Sequence, residues 1–263
     1  MKYKLLALDL DGTLLMPDKT IPEDVKKSIS DLQEKGIIVT LCTGRMYPTV
    51  KKYAEELGIT YPLVCYNGAL IRSADDDEPV MYEPLDMSLQ EKIIACGEEN
   101  GWYLQLYQDD RVAAAEITYE TLADPDAKTL PPVALGKLSE AVLSPSPKMM
   151  SFCDPSEVPV RIEAFERATD GKLYIASSTP NLVEMMKKGV CKSEALKKLC
   201  EMYGISREEI VVCGDSGNDA DMIRWAALGC AMANATEELK AVSDYICENS
   251  YSYGVKEVIE KYF

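Results

Sequence analysis

Two carboxylates, Asp9 and Asp11, stand one residue apart directly after the apolar run Leu5-Leu6-Ala7-Leu8, and the turn pair Gly12-Thr13 follows them. Like charges this close at the mouth of a buried strand repel and raise each other's pKa unless a cation lies between them. The arrangement suits a hard, oxygen-seeking metal ion held beside a carboxylate nucleophile. Taken alone it also reads as a strand ending in an Asp-rich turn. Three later segments bear on the choice: Thr43-Gly44-Arg45, Lys192 at the start of a helical pattern, and the string Gly214-Asp215-Ser216-Gly217-Asn218-Asp219. Each has an ordinary reading as a turn, a surface lysine or a solvated loop. Brought together, acids, a hydroxyl, a lysine and glycines would suit the binding of a phosphoryl group with Mg²⁺.

Composition narrows the chemistry further. The 263-residue chain contains no histidine, so the ordinary neutral-pH base and the commonest zinc ligand are both missing. Acid–base work falls to carboxylates, lysine, tyrosine or cysteine. The nine cysteines lie mostly in apolar runs (Cys42, Cys65, Cys213, Cys230) and form no C-x-x-C pair. That argues against zinc and thioredoxin-type chemistry and suits buried thiols in a reducing cytoplasm. A formal charge of −16 and a pI near 4.5 argue against a nucleic-acid groove or an anionic membrane surface as the main partner. An anionic small molecule then needs a local site built from a few cations, a metal and backbone N–H groups. Screening over about 8 Å at physiological ionic strength makes such a site workable. No stretch approaches the ~18 apolar residues of a membrane span, so a cytoplasmic protein is expected. Nothing in the sequence specifies an oligomeric state.

The elements that must position these residues follow from periodicity. Lys4–Leu8, Ile37–Cys42 and Leu63–Tyr66 are continuous apolar runs, as strands covered on both faces require. Between the first two, Pro22 opens a helix with Val25, Ile29 and Leu32 on one face and Gly36 as its stop. A second helix is expected from Pro48 to Leu57, and Asn67-Gly68 reads as a turn into Ala69–Ile71. Alternating strands and helices imply right-handed βαβ units and a parallel sheet. After Asp75-Asp76-Asp77-Glu78-Pro79 the pattern changes to amphipathic pieces: Leu89–Glu99, the alternating Trp102–Tyr107, and a hairpin of Leu173–Ser177 and Leu182–Met186 around Ser178-Thr179-Pro180-Asn181. The βα rhythm then resumes with a helix over Lys192–Tyr203, strands at Ile210–Cys213 and Cys230–Ala233, and a helix expected to open at Asn234, which has capping-box spacing to Glu237. The expected fold is α/β: a doubly wound, Rossmann-like parallel-sheet core formed by residues 1–83 and 187–263, with an α+β cap domain and its own small antiparallel sheet inserted at 84–186. In such sheets ligands bind at the carboxyl ends of the strands, where all four chemical segments fall.

In this order and at these separations the segments resemble the haloacid dehalogenase-like (HAD) hydrolase superfamily, and within it the Cof-type phosphatase branch with a large type-IIB cap. The matching residues are Asp9-Leu10-Asp11-Gly12-Thr13-Leu14, Thr43-Gly44-Arg45, Gly189-Val190-Cys191-Lys192 and Gly214 through Asp219, with Asn67-Gly68 and Asn234-Ala235 besides. Ser193 departs from the glycine that often follows the lysine. The resemblance implies a Mg²⁺-dependent phosphatase of small phosphorylated metabolites, sugar phosphates foremost, working through an aspartyl-phosphate. It implies Asp9 as nucleophile, Asp11 as proton donor and acceptor, and a metal held by Asp9, the backbone carbonyl of Asp11 and Asp215. Phosphate oxygens would meet the Leu10 amide, the Thr43 hydroxyl, the Gly44 amide, Lys192 and Asn218, while Asp219 orients the metal ligands. Arg45 is placed either for substrate contact or in a surface salt bridge. The rivals are a phosphomutase of the same superfamily and a non-enzymatic phospho-acceptor receiver module. A receiver has no use for a second acid at Asp11, and a halide-releasing enzyme would leave that acid idle.

Overall fold

Every side chain of Leu5–Leu8 is buried, and this run lies between Ile210–Gly214 and the edge strand Ile38–Leu41 in a five-stranded sheet. The computed structural model describes residues 2–75, 78–177 and 179–263; Asp76 and Asp77 of the acidic run and Ser178 of the hairpin turn lie outside the described residues. The sheet order is Tyr245–Ile246, Leu228–Ala231, Ile210–Gly214, Leu5–Leu8, Ile38–Leu41, and every pairing is parallel. Leu8 is in register with both Cys213 and Leu41, so these three neighbouring strands reach the same edge of the sheet. Helices cover the sheet because each carries one apolar stripe. Glu23–Glu34 buries Val25, Ile29 and Leu32, and Lys192–Tyr203 buries Ala195, Leu196, Leu199 and Cys200. Each fully buried Leu or Ile contributes about 1.5–3 kcal/mol relative to exposure. The second helix stops at Gly204, whose φ of 62° closes its last turn in the left-handed region.

Two local expectations are corrected. Leu63–Cys65 pairs antiparallel with Leu70–Arg72 in a separate three-stranded sheet and meets the parallel sheet through one parallel bridge, Cys42 to Val64. The last short helix, Glu237–Lys240, is capped by Thr236, whose side chain accepts from the Leu239 amide. Asn234 is used elsewhere: its Nδ2 donates to the Gly12 carbonyl at 2.8 Å and its Oδ1 accepts from the Tyr251 amide at 3.0 Å. Both residues are good caps, and long-range partners for Asn234 decide between them.

These elements belong to a first compact unit made of the chain up to Arg45, Val50–Met81 and Cys191–Phe263. A second unit comprises Met46–Thr49 and Tyr82–Val190. Its six-stranded sheet runs Leu173–Ala176, Leu182–Lys187, Met149–Phe152, Gln105–Gln108, Arg111–Ala114, Val133–Ala134. All pairs are antiparallel except the last, which is parallel. Helices Met87–Glu99 and Val158–Ala168 supply Ile93 and Phe165 to a core shared with Leu106, Val183 and Met185. A polar cluster is also buried there. Asp126 accepts from the Met46 amide at 2.9 Å through Oδ2, while its Oδ1 is buried without a hydrogen-bond partner. Burial, reinforced by neighbouring Asp124, pushes the Asp126 carboxyl up to about 6. Among the described residues no helix is long and apolar enough to cross a membrane.

Candidate active site

Where Leu5–Leu8 and Ile210–Gly214 end, the chain leaves the sheet in tight turns. The Asp9 amide still donates to the Cys213 carbonyl at 3.1 Å, after which Thr13 and Leu14 donate back to Leu10 and Asp9. The turn needs Gly12, with φ of +80°, because a Cβ there would lie 2.2 Å from Asp215 Oδ2. This close approach brings two acids 206 positions apart to one place. The carboxylates of Asp9, Asp215 and Asp219 offer oxygens that all lie within 4.8 Å of one another.

Lys192 stands between them. Its Nζ is 2.7 Å from Asp9 Oδ1 and 2.7 Å from Asp219 Oδ1, and the side chain is 1% exposed. The helix begins at this residue, so sequence position and helix start together aim the lysine at the end of the sheet. Burial opposes its charge, but the two carboxylates outweigh burial and keep the ammonium protonated, above its ordinary range. Burial pushes the Asp9 carboxyl well up, Lys192 opposes this, and repulsion from Asp219 and Asp215 adds to it. Burial and Asp219 raise Asp215 to about 6, against the pull of Lys192 and a 3.2 Å hydrogen bond from Thr13 Oγ1. Three acids facing one cation leave the cluster short of positive charge, and an all-oxygen donor set fits a hard divalent ion. Asp219 is the least available donor: Oδ1 accepts from Lys192, and Oδ2 accepts from the amides of Asp215 and Ser216 at 3.0 and 3.1 Å.

Asp11 has a different set of partners. Arg45 grips it with two short bonds, Nε to Oδ2 at 2.5 Å and Nη2 to Oδ1 at 2.6 Å. Lys19 adds a third contact at 2.8 Å. Burial alone would raise this carboxyl, yet Arg45 and Lys19 outweigh it and hold Asp11 at about 2. Arg45 itself is buried, which removes the reading of it as a surface residue. Thr43 is buried with its hydroxyl accepting from the Arg45 amide at 3.3 Å, and Leu10 is buried in the first turn. Asn218 donates through Nδ2 to Asn67 Oδ1 at 3.0 Å and accepts from Ser216 Oγ at 2.7 Å. Gly44 packs against the same Asn67 side chain. Sequence reasoning missed Lys19 and Thr13 as members of this group. Thr13 lay within a recognised motif, whereas Lys19 had only the turn signal of Pro17-Asp18 to mark it.

Residues 6–259 match the haloacid dehalogenase-like hydrolase family. A solved haloacid dehalogenase-like hydrolase from Bacteroides thetaiotaomicron superposes over 100% of both chains with a TM-score of 0.88 at 28% identity. Two Bacillus subtilis (strain 168) proteins are similar along their length, both named as 5-amino-6-(5-phospho-D-ribitylamino)uracil phosphatases: YitU, 29% identical over 100% of this chain and 98% of its own, and YcsE, 30% identical over 97% and 94%. The chain belongs to the haloacid dehalogenase-like hydrolase family. Within it, it is a phosphoric monoester hydrolase.

Proposed function

We propose that this chain releases inorganic phosphate from small phosphorylated metabolites, sugar phosphates among them, in a Mg²⁺-dependent reaction that passes through a phosphoryl group carried on Asp9. The observation that carries the reading is the buried cluster of Asp9, Asp215 and Asp219 around Lys192 at the end of the parallel sheet. Asp9, the backbone carbonyl of Asp11 and Asp215 would hold the ion, which when bound neutralises the repulsion between a carboxylate and a phosphate ester. Asp9 attacks phosphorus in line, the ester oxygen departs, and Asp11 gives that oxygen its proton. Asp11 then takes a proton from the water that cleaves the acyl phosphate, which restores both acids. Since Arg45 and Lys19 favour the ionised form of Asp11, their grip must loosen as the leaving group arrives. Lys192, Asn218, the Thr43 hydroxyl and the amides of Leu10 and Gly44 bind the phosphate oxygens. Asp219 holds Lys192 and the 215–216 turn in place. Residues 84–186 serve as the cap.

Phosphate release is to be measured from a panel of sugar phosphates, p-nitrophenyl phosphate and 5-amino-6-(5-phospho-D-ribitylamino)uracil, the compound for which two relatives are named. The expected result is many turnovers with Mg²⁺ and none in EDTA. A single stoichiometric phosphorylation without turnover would mark a phospho-acceptor module instead. Transfer to a second sugar hydroxyl rather than to water would mark a mutase.

A further inference from the structure

The turn Tyr66-Asn67-Gly68 passes through three consecutive positive φ angles, 51°, 53° and 103°. For residues that carry a Cβ, this backbone is strained and persists only where surrounding contacts over-determine it. Those contacts lead to the candidate active site. The Tyr66 amide donates to the Arg45 carbonyl at 3.0 Å and the Asn67 amide to the Thr43 carbonyl at 2.9 Å, so the turn is tied to both ends of the Thr43-Gly44-Arg45 loop. The Asn67 side chain is buried, and its Oδ1 accepts from Nδ2 of Asn218, 151 residues away, at 3.0 Å. A Cβ built on Gly44 would lie 2.9 Å from Asn67 Oδ1 and 3.2 Å from Asn67 Nδ2, so the same amide rests directly on the Gly44 backbone.

We propose that Asn67 is a positioning residue for phosphoryl transfer, its side-chain amide holding Gly44 and Asn218 at a fixed separation so that their N–H groups meet the same phosphate. This rests on the reading of Gly44 and Asn218 as phosphate donors given above. Asn67 acts through those two residues and not on the reacting atoms. Asparagine suits the task because it tolerates φ > 0 and carries an acceptor and a donor in one planar group. Donors fixed before the substrate arrives need no reorganisation when charge develops on the phosphoryl oxygens.

Asn67→Gly separates this role from a structural one, since glycine adopts the turn without Cβ strain but lacks the amide. Its Tm is expected within about 3 °C of wild type, a shift that for a chain of this size is of the order of one lost hydrogen bond. Asn67→Ala, which keeps the strain, should melt lower. Both should lose about tenfold or more in kcat/KM with Mg²⁺, and both should bind inorganic phosphate, measured as a competitive inhibitor, correspondingly more weakly. If Asn67 works through Asn218, the double variant with Asn218→Ala is no more than about threefold worse than the poorer single variant. Should the glycine variant not fold, the alanine variant assayed below its own Tm carries the same cycle. Activity within about twofold of wild type in either variant, or losses that multiply in the double variant, would overturn the proposal. A wild-type protein that releases no phosphate at all would instead remove the phosphatase reading underneath it.

Discussion

Replacing Lys192 by methionine tests whether the buried charge balance at the sheet end is understood. Methionine preserves the length and apolar stem of the side chain and deletes only the ammonium. In the native protein that ammonium makes two 2.7 Å ion pairs at 1% exposure, and its charge and hydrogen bond favour the ionised form of Asp9 against burial. Breaking a buried pair by removing one partner costs about 3–5 kcal/mol, because an uncompensated charge stays behind. For a chain of this size that lowers Tm by roughly 6–20 °C. The deficit should depend on pH with a definite sign. Burial already pushes the Asp9 carboxyl above its unfolded value, and loss of Lys192 raises it further. The folded variant therefore binds more protons than the unfolded chain, so its stability is greatest at low pH and falls as pH rises through the raised folded pKa. Thermal unfolding of both proteins in EDTA between pH 5 and 8 is the assay, with the gap between them widening toward pH 8. Mg²⁺ should narrow the gap by supplying the missing positive charge. A deficit below about 1 kcal/mol at pH 8, or one that does not change with pH, refutes the reasoning.

Four further outcomes are expected. Asp126→Asn keeps an acceptor for the Met46 amide but cannot ionise; because burial raises the wild-type carboxyl from 3.8 to about 6, its ionisation costs on the order of 3 kcal/mol of stability above pH 7 that is absent below pH 4. The variant should thus gain on wild type in urea unfolding as pH rises from 4.5 to 8, and parallel curves at the two pH values would count against it. Asp9→Asn should fold and lose turnover, and a residual kcat above about a hundredth of wild type would remove Asp9 as the nucleophile. Asp11→Asn should still take a phosphoryl group from a good leaving group and then keep it; acid quench that traps no phosphoprotein speaks against Asp11 as the acid and base, and Ca²⁺, with its longer and more numerous bonds, should replace Mg²⁺ poorly in the wild type.

Much of the core could be read before any coordinates. Leu5–Leu8 is apolar at every position, which only a strand covered on both faces accommodates, and the stripe Val25, Ile29, Leu32 ends at Gly36 as helix geometry requires. Where local signals offered two answers, distant partners chose. Asn234 and Thr236 are both competent caps, and Thr236 serves because Asn234 is bound to Gly12 and Tyr251. Leu63–Cys65 has the composition of a parallel core strand, yet the left-handed turn at Tyr66 and Asn67 folds it back on Leu70–Arg72.

The sequence by itself determined which residues could do chemistry: carboxylates must replace the missing histidines, and strand ends must carry them to one edge of a parallel sheet. Only the tertiary structure decided how those charges share space. Lys19 and Arg45 hold Asp11, Lys192 bridges Asp9 and Asp219, and Met46–Thr49 belongs to the second unit. The physical reason is range. Periodicity and capping act over a few residues along the chain, whereas ion pairs, desolvation and a shared amide depend on distances that hundreds of intervening bonds leave undetermined until the fold closes.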